Sequence, residues 1–177
     1  MAAPLRYKRV LLKVSGEALL GGQPFGIDDA VLGRIAGEIA EAVSLGARVG
    51  IVTGGGNIFR GMKIQKAGGN RVAGDQMGML ATVMNGIALQ QKLGSLGTRS
   101  RLFSAVAMPE ICETYSQYAA EAAFEAGEVL LFAAGAGVPF VTTDTGAALR
   151  AAELGCDALF KATQVDGVYS ADPKVDA

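Results

Sequence analysis

Short runs rich in Val, Leu and Ile alternate with stretches of helical periodicity along this chain. The apolar runs predict strands at residues 9–14, 49–53, 101–105, 129–133 and 158–162. The spacing of apolar residues predicts helices at 28–45, 75–93, 117–126 and 144–154, the first of them between caps at Asp28 and Gly46. This alternation requires a mostly parallel sheet with helices on both faces. We therefore expect one α/β domain over residues 1–177, built as a three-layer sandwich.

Composition limits the classes of partner. With 177 residues, half of them apolar, the chain can build one sizeable core but not two. The net charge of −1 gives no argument for nucleic acid or an anionic membrane. Basic residues interrupt the apolar start of the chain, and no run reaches membrane-spanning length, so we expect a cytoplasmic protein. Cys112 and Cys156 lack metal-ligand spacing and are predicted to be small buried hydrophobes.

The chain contains no histidine. Ser-His and Cys-His mechanisms and most zinc sites are therefore excluded, as is the commonest general base. The remaining chemistry relies on Lys, Arg, Asp, Thr and backbone groups. Transfer of a phosphoryl group to an acceptor that is already anionic is such a reaction, because catalysis is mainly positioning and charge neutralisation.

Three successive glycines, Gly54 to Gly56, directly follow the second predicted strand, and Arg60 lies four residues further on. Backbone N–H groups without Cβ atoms can close on an anion, and an Arg side chain adds a positive fork. This combination predicts a phosphate site. The alternative is that the glycines are only structural punctuation after a strand.

Candidate residues also follow three other predicted strands. Lys13 and Gly16 end the first strand, residues 135–137 follow the fourth, and Lys161 ends the last. Since ligands of parallel sheets gather at the carboxyl ends of the strands, we expect one shared site at that edge.

Asp75 lies at the predicted start of a helix. On position alone a helix N-cap is the favoured interpretation, and the functional alternative is a carboxylate that accepts hydrogen bonds from sugar hydroxyls. Met77, Met79 and Met84 are expected to fill the core or an interface. The chain has no P-loop or protein-kinase motif, and Phe140 stands where the third glycine of a dinucleotide fingerprint would be.

Six segments together resemble the bacterial uridylate (UMP) kinases, which have the amino-acid-kinase fold. They are residues 13–17, 54–61, 70–75, 77–86, 142–144 and 161–169. The resemblance spans essentially the whole chain, and the block from residue 70 to 86 favours UMP kinases over aspartate, acetylglutamate or carbamate kinases. It implies phosphorylation of UMP to UDP by ATP, by in-line transfer without a general base.

The resemblance also implies roles for individual residues. It places the phosphoryl-transfer chemistry on Lys13, Arg60, Asp144 and Lys161. It places UMP binding on Gly55, Asp75, Ala136, Gly137, Val138, Pro139, Phe140, Val141, Thr142 and Thr143. ATP binding falls on Lys13, Val14, Ser15, Gly16, Gly56, Arg60, Thr163, Tyr169 and Asp172, and a region for activation by GTP on Gly21, Gly22, Gln23, Pro24, Phe25 and Gly26.

Further expectations follow from the same resemblance: Mg²⁺ bound mainly through ATP phosphates rather than protein ligands, GTP as activator, UTP as inhibitor, and a homohexamer. Two alternatives stay open on the same fold, a non-catalytic nucleotide- or oxyanion-binding storage or sensor protein, and a carboxylate or carbamate kinase. The presence of both Lys13 and Lys161 favours catalysis over storage. The block around Asp75 speaks against a carboxylate or carbamate substrate.

The chain departs from the family pattern in two places. Ala136 and Val138 stand where many members have Thr and Asn, so two polar side chains near the acceptor are missing. Family members also continue beyond the segment at 171–173 with elements that hold much of the adenine site. We therefore expect that the C-terminal portion is missing, and that residues 1–177 comprise the UMP half and the beginning of the ATP half.

Overall fold

A computed structural model describes residues 5–59 and 70–162. The strands are Arg9–Val14 (β1), Arg48–Thr53 (β2), Ser100–Ser104 (β3), Glu113–Thr114 (β4), Val129–Ala133 (β5) and Ala158–Ala162 (β6). The α-helices are Asp29–Ser44 (α1), Arg71–Ser95 (α2), Gln117–Glu125 (α3) and Thr143–Glu153 (α4), and a 3₁₀ turn spans Gly16–Leu19.

The described strands form one sheet in the order β4-β3-β5-β2-β1-β6, and every neighbouring pair is parallel. The predicted parallel sheet is therefore confirmed. β1 lies between β2 and β6, and its register places Lys13 beside Val52 on one side and Lys161 on the other.

Alternating side chains of β5 fill two separate cores. Val129, Leu131 and Ala133 pack with residues of α1 and α2. Leu130 and Phe132 point to the other face and pack with residues of α3 and α4. All five side chains are buried, as expected for a parallel strand covered on both faces. The three-layer arrangement is thus confirmed.

The first helix begins and ends as predicted. Asp28 Oδ1 accepts a hydrogen bond from Val31 N at 2.9 Å, which satisfies a donor at the start of α1. Gly46, just beyond the end of α1, has a φ of +97°, a conformation that favours glycine.

The second long helix begins four residues earlier than predicted. Asn70 is its cap, since Asn70 Oδ1 accepts a hydrogen bond from Val72 N at 2.8 Å. Asp75 consequently lies in the second turn of α2, and its interpretation as a helix cap is wrong. The bounds of β3 and α4 shift by one residue, and β4 and the 3₁₀ turn were not predicted.

The helical stripe of Leu80, Val83, Met84 and Ile87 on α2 is mostly exposed. Val83 is buried, whereas Leu80 and Met84 are more than half exposed. The helix packs through small residues such as Ala81 and Gly86 and, nearer its end, through Leu89 and Leu93. A Cβ on Gly86 would lie 2.6 Å from Leu102 Cδ1, so this glycine permits close packing of α2 against β3.

The two cysteines differ in burial. Cys112 is buried, and burial raises the pKa of its thiol. Cys156 is partly exposed rather than fully buried. Its partial burial still raises the pKa of the thiol to about 11. No helix in the described part of the chain is long and apolar enough to cross a membrane.

Candidate active site at the carboxyl ends of the strands

The predicted strand-end residues belong to four consecutive strands of the sheet, β5, β2, β1 and β6. Because these strands are parallel, their carboxyl ends form one continuous edge. The sheet topology therefore brings segments from distant parts of the sequence to one site.

Lys13, Asp144 and Lys161 form a charged cluster at this edge. Lys13 Nζ lies 2.8 Å from Asp144 Oδ1, and Lys161 Nζ donates to Asp144 Oδ2 at 2.8 Å. The two lysines are register neighbours on β1 and β6, so their side chains leave the sheet on the same face. Only 11% of the Lys13 side chain is exposed, against 55% for Lys161.

The start of α4 holds Asp144 in place. Thr142 Oγ1 caps the helix by accepting a hydrogen bond from Thr145 N at 3.2 Å, and Asp144 lies in the first turn, where a negative charge is favourable. Burial opposes ionisation of Asp144, but the contacts with Lys13 and Lys161 outweigh it and hold the carboxyl pKa below its ordinary value. Asp144 is therefore ionised at neutral pH and lies between the two lysines.

The glycine segments after β1 and β2 pack against one another. A Cβ on Gly16 would lie 2.5 Å from Gly56 N, and one on Gly54 would lie 2.8 Å from Gly16 N. A Cβ on Gly55 would lie 2.7 Å from Gly78 O on α2. Close backbone packing is thus a sufficient reason for these glycines, whereas phosphate binding by their N–H groups stays a prediction.

Two buried amides hold this region together, and the sequence analysis did not single them out. Asn57 Nδ2 donates to Asn85 Oδ1 at 2.9 Å, and Asn85 Nδ2 donates to Asn57 Oδ1 at 2.8 Å. Asn85 also donates to Gly54 O, and Asn57 donates to Gly26 O. The pair joins the glycine loop to α2 and to the segment at 21–26. A signal was present, since both residues lie in the segments that resemble UMP kinases.

A cavity of about 150 Å³ lies between the glycine loop, α2 and the segment after β5. Six residues predicted to bind UMP line it, which are Gly55, Asp75, Ala136, Val138, Val141 and Thr143. The other four, Gly137, Pro139, Phe140 and Thr142, do not. The remaining wall consists of Gly56, Phe59, Gly74, Gly78, Met79, Thr82, Ala134 and Gly135.

Asp75 is the one carboxylate in the described wall of this cavity. Its Oδ1 accepts from Arg71 Nε at 2.8 Å, and its Oδ2 accepts from Phe140 N at 2.8 Å. Burial opposes ionisation, but these two donors outweigh it and lower the pKa of Asp75. The side chain is therefore an ionised acceptor at neutral pH.

The segment that covers the cavity is strained at both ends. Ala134 has a φ of +60° and Phe140 a φ of +67°, which costs roughly 1–2 kcal/mol for each residue with a Cβ. Contacts with α2 hold both ends, since Ala134 N donates to Thr82 Oγ1 at 2.7 Å and Phe140 N donates to Asp75. Between the two ends, Ala136 and Val138 present apolar side chains to the cavity.

The residues predicted to bind ATP or GTP lie at several places in the structure. Ser15 Oγ accepts from Ala18 N and caps the 3₁₀ turn after β1, next to Val14 at the end of the strand. Within the segment at 21–26, Phe25 is 63% exposed and Gly26 N donates to Asn57 O. Predictions for Arg60, Thr163, Tyr169 and Asp172 lie outside the described residues.

Metal ligands do not gather in the part of the chain that the structure describes. Within residues 5–59 and 70–162, no three Cys, Asp or Glu side chains lie close enough together to hold a metal ion. The described residues thus offer no site built from protein ligands alone.

Comparisons with known proteins agree with this fold. A model of the amino acid kinase family matches residues 8–177. A uridylate kinase of Chelativorans sp. (strain BNC1) is 61% identical over 172 residues, which cover 97% of this chain and 70% of that protein. A uridylate kinase of Mesorhizobium japonicum is 62% identical over 170 residues, which cover 96% of this chain and 71% of that protein.

Two solved structures are similar in three dimensions. The crystal structure of UMP kinase from Bacillus anthracis matches with a TM-score of 0.90 and 39% identity, over 95% of this chain and 70% of that one. UMP kinase from Ureaplasma parvum matches with a TM-score of 0.90 and 35% identity, over 97% and 73%. The chain therefore belongs to the amino acid kinase family. Among the members of that family, it groups with the uridylate kinases.

Proposed function

We propose that this protein transfers the terminal phosphoryl group of ATP to UMP, making UDP. The observation that carries the proposal is a pair of lysines that share one carboxylate, next to a cavity with its own ionised carboxylate. Relatives about 60% identical bear the name uridylate kinase.

The charged cluster suits phosphoryl transfer between two anions. A phosphate oxygen of UMP is already a nucleophile, so no proton has to be removed and no general base is required. Lys13 and Lys161 neutralise charge on the transferred group, while Asp144 holds both ammonium groups at fixed positions. Gly16 and Gly56 are proposed to contact the ATP phosphates, and Arg60 to complete the phosphate site.

The cavity is proposed to hold the acceptor nucleotide. Asp75 accepts hydrogen bonds from the ribose hydroxyls, and the segment from Ala136 to Thr143 surrounds the base. The ionised state of Asp75 and its position in the cavity wall support this assignment. With Ala136 and Val138 lining the cavity, backbone groups and Thr143 provide polar contacts there.

Mg²⁺ is proposed to be bound mainly through ATP phosphates. When bound, it neutralises phosphate charge and aligns the donor. The described residues fit this arrangement, because the strand-end cluster is rich in cations and contains a single carboxylate already paired with two lysines.

Measuring coupled ADP release with UMP, CMP, AMP and aspartate as acceptors tests the function. Turnover with UMP in the presence of ATP and Mg²⁺, clearly preferred over CMP, is the expected result. Equal turnover of CMP, or turnover of aspartate instead of any nucleotide, contradicts it. Binding of UMP without ADP release would favour the storage or sensor alternative.

Assembly, regulation and location are also proposed from the resemblance. We expect a homohexamer in the cytoplasm that serves pyrimidine nucleotide synthesis, is activated by GTP through residues 21–26, and is inhibited by UTP. The exposed side chains of Met77, Leu80, Met84 and Ile87 on α2 support a subunit interface. Light scattering of the protein and of Leu80→Asp tests this, since the substitution should reduce the measured mass.

A further inference from the structure

Arg71 contacts two parts of the cavity wall at once. It lies one helical turn before Asp75 on α2, and its Nε donates to Asp75 Oδ1 at 2.8 Å. Its guanidinium carbon also lies 5.5 Å from the centre of the Phe140 ring. A single side chain thus connects the carboxylate of α2 with the segment that follows β5.

Phe140 depends on such contacts more than an ordinary loop residue does. Its backbone has the left-handed conformation, and its side chain is 67% exposed, so neither backbone preference nor core packing holds it in place. The described contacts that hold it are the hydrogen bond from its N–H to Asp75 Oδ2 and the Arg71 guanidinium over its ring.

We propose that Arg71 is a positioning residue for the acceptor site, because it fixes the orientation of Asp75 and holds the covering segment closed through Phe140. This inference rests on the proposed binding of UMP next to Asp75. Each Asp75 oxygen accepts one of the described hydrogen bonds and retains capacity for another, so a sugar hydroxyl can bind without displacing Arg71 or Phe140. The acceptor then meets a preformed site, which avoids the entropic cost of ordering the segment on binding.

The simpler interpretation is an ordinary exposed ion pair between residues four apart on a helix. The chain contains a matched example, since Arg34 Nη1 lies 2.8 Å from Glu38 Oε1 on α1. The side chains of Arg34 and Glu38 are both more than 60% exposed, whereas the Asp75 side chain is only 18% exposed. Arg71 differs from Arg34 by its contact with Phe140 in a distant part of the sequence.

The test compares Arg71→Gln and Arg71→Lys with the control Arg34→Gln, using the full chain. UMP affinity is measured by titration calorimetry without ATP, and thermal unfolding is measured on the same samples. We expect Arg71→Gln to weaken UMP binding about tenfold, Arg71→Lys to weaken it less, and Arg34→Gln to leave it within about twofold. All three variants should unfold within a few degrees of the parent protein.

A second measurement separates this inference from the proposed function. Amide hydrogen exchange of the segment from 134 to 141, without nucleotide, should become faster in Arg71→Gln but not in Arg34→Gln. If the parent protein does not bind UMP but this exchange difference is present, the proposed function is wrong and the role of Arg71 in closing the segment stands. Unchanged exchange in Arg71→Gln, or unchanged UMP affinity in a protein that binds UMP, overturns the inference.

Discussion

The charged cluster of Lys13, Asp144 and Lys161 and the cavity around Asp75 lie side by side but are built in different ways. The cluster depends on strand register, because β1 and β6 place the two lysines next to each other. The cavity depends on contacts between a helix and a loop, which hold a strained segment over α2. On the proposed function, the first arrangement neutralises charge on the transferred group and the second provides shape for the acceptor, so substitutions in the two regions should change different kinetic parameters.

The largest effect is expected from removing a lysine of the cluster. In Lys13→Met or Lys161→Met, kcat should fall roughly 10²- to 10³-fold, because a cation that stabilises the transition state is lost. UMP affinity should change little, since neither lysine lines the described cavity. Steady-state kinetics with UMP as the varied substrate gives kcat and the KM for UMP. A preserved kcat in both variants would favour a storage or sensor protein.

Asn85→Ala should destabilise both regions, because the Asn57–Asn85 pair joins the glycine loop to α2. It removes the hydrogen bonds that Asn85 donates to Asn57 Oδ1 and to Gly54 O, which costs about 1–3 kcal/mol. The melting temperature should therefore fall by roughly 2–10 °C. Gln91→Ala, at an exposed position of the same helix, is the control and should unfold like the parent protein. Equal melting temperatures for the two variants would show that the amide pair does not stabilise the site.

Asp75→Asn should affect the cavity alone. The amide retains an acceptor but loses the charge, so KM for UMP should rise about tenfold with kcat nearly unchanged. Stability should fall only modestly, because Asn70 caps α2, although one of the two donors Arg71 Nε and Phe140 N loses its acceptor. Asp29→Asn is the control. It removes the charge of a carboxylate on α1 that pairs with Lys92 and does not line the cavity. An unchanged KM in Asp75→Asn would exclude the ribose role.

A smaller effect is expected from acid. Contacts with both lysines keep the Asp144 pKa below the ordinary 3.8, so the stability they contribute is present above that value. It is lost as pH falls below about 4 and through the lowered pKa. Because 46% of the side chain is exposed, screening keeps the contribution modest. Urea unfolding at pH 7, 5, 4 and 3 should show the stability of the parent protein approaching that of Asp144→Asn. Parallel curves would contradict this assignment.

The two regions also differ in how well the sequence predicts them. Apolar runs and helical spacing are local signals, and they predicted β5 and β6 with the observed bounds and α1 with its cap. Once the sheet is parallel, the edge that carries Lys13 and Lys161 follows from geometry. The two lysines were therefore predictable from strand ends, whereas Asp144 was expected only from the resemblance to UMP kinases.

The geometry of the cavity could not be predicted from local sequence patterns. The hydrogen bond from Phe140 N to Asp75 joins residues far apart in the chain, and it requires a left-handed backbone at a bulky residue. The start of α2 was misplaced because Asn70 and Asp75 are both acceptable caps by residue type. The rotation of α2 was also unpredictable, because its buried face combines Val83, Leu89 and Leu93 with glycine, alanine, threonine and asparagine, while other large apolar residues are exposed.

The unequal exposure of the two lysines has a consequence for how the cluster responds to salt. Asp144 is paired with Lys13, whose side chain is 11% exposed, and with Lys161, whose side chain is 55% exposed. Salt screens exposed charges more than partly buried ones. Rising ionic strength should therefore loosen Lys161 while Lys13 stays paired with Asp144, which makes one lysine of the cluster a fixed charge and the other an adjustable one.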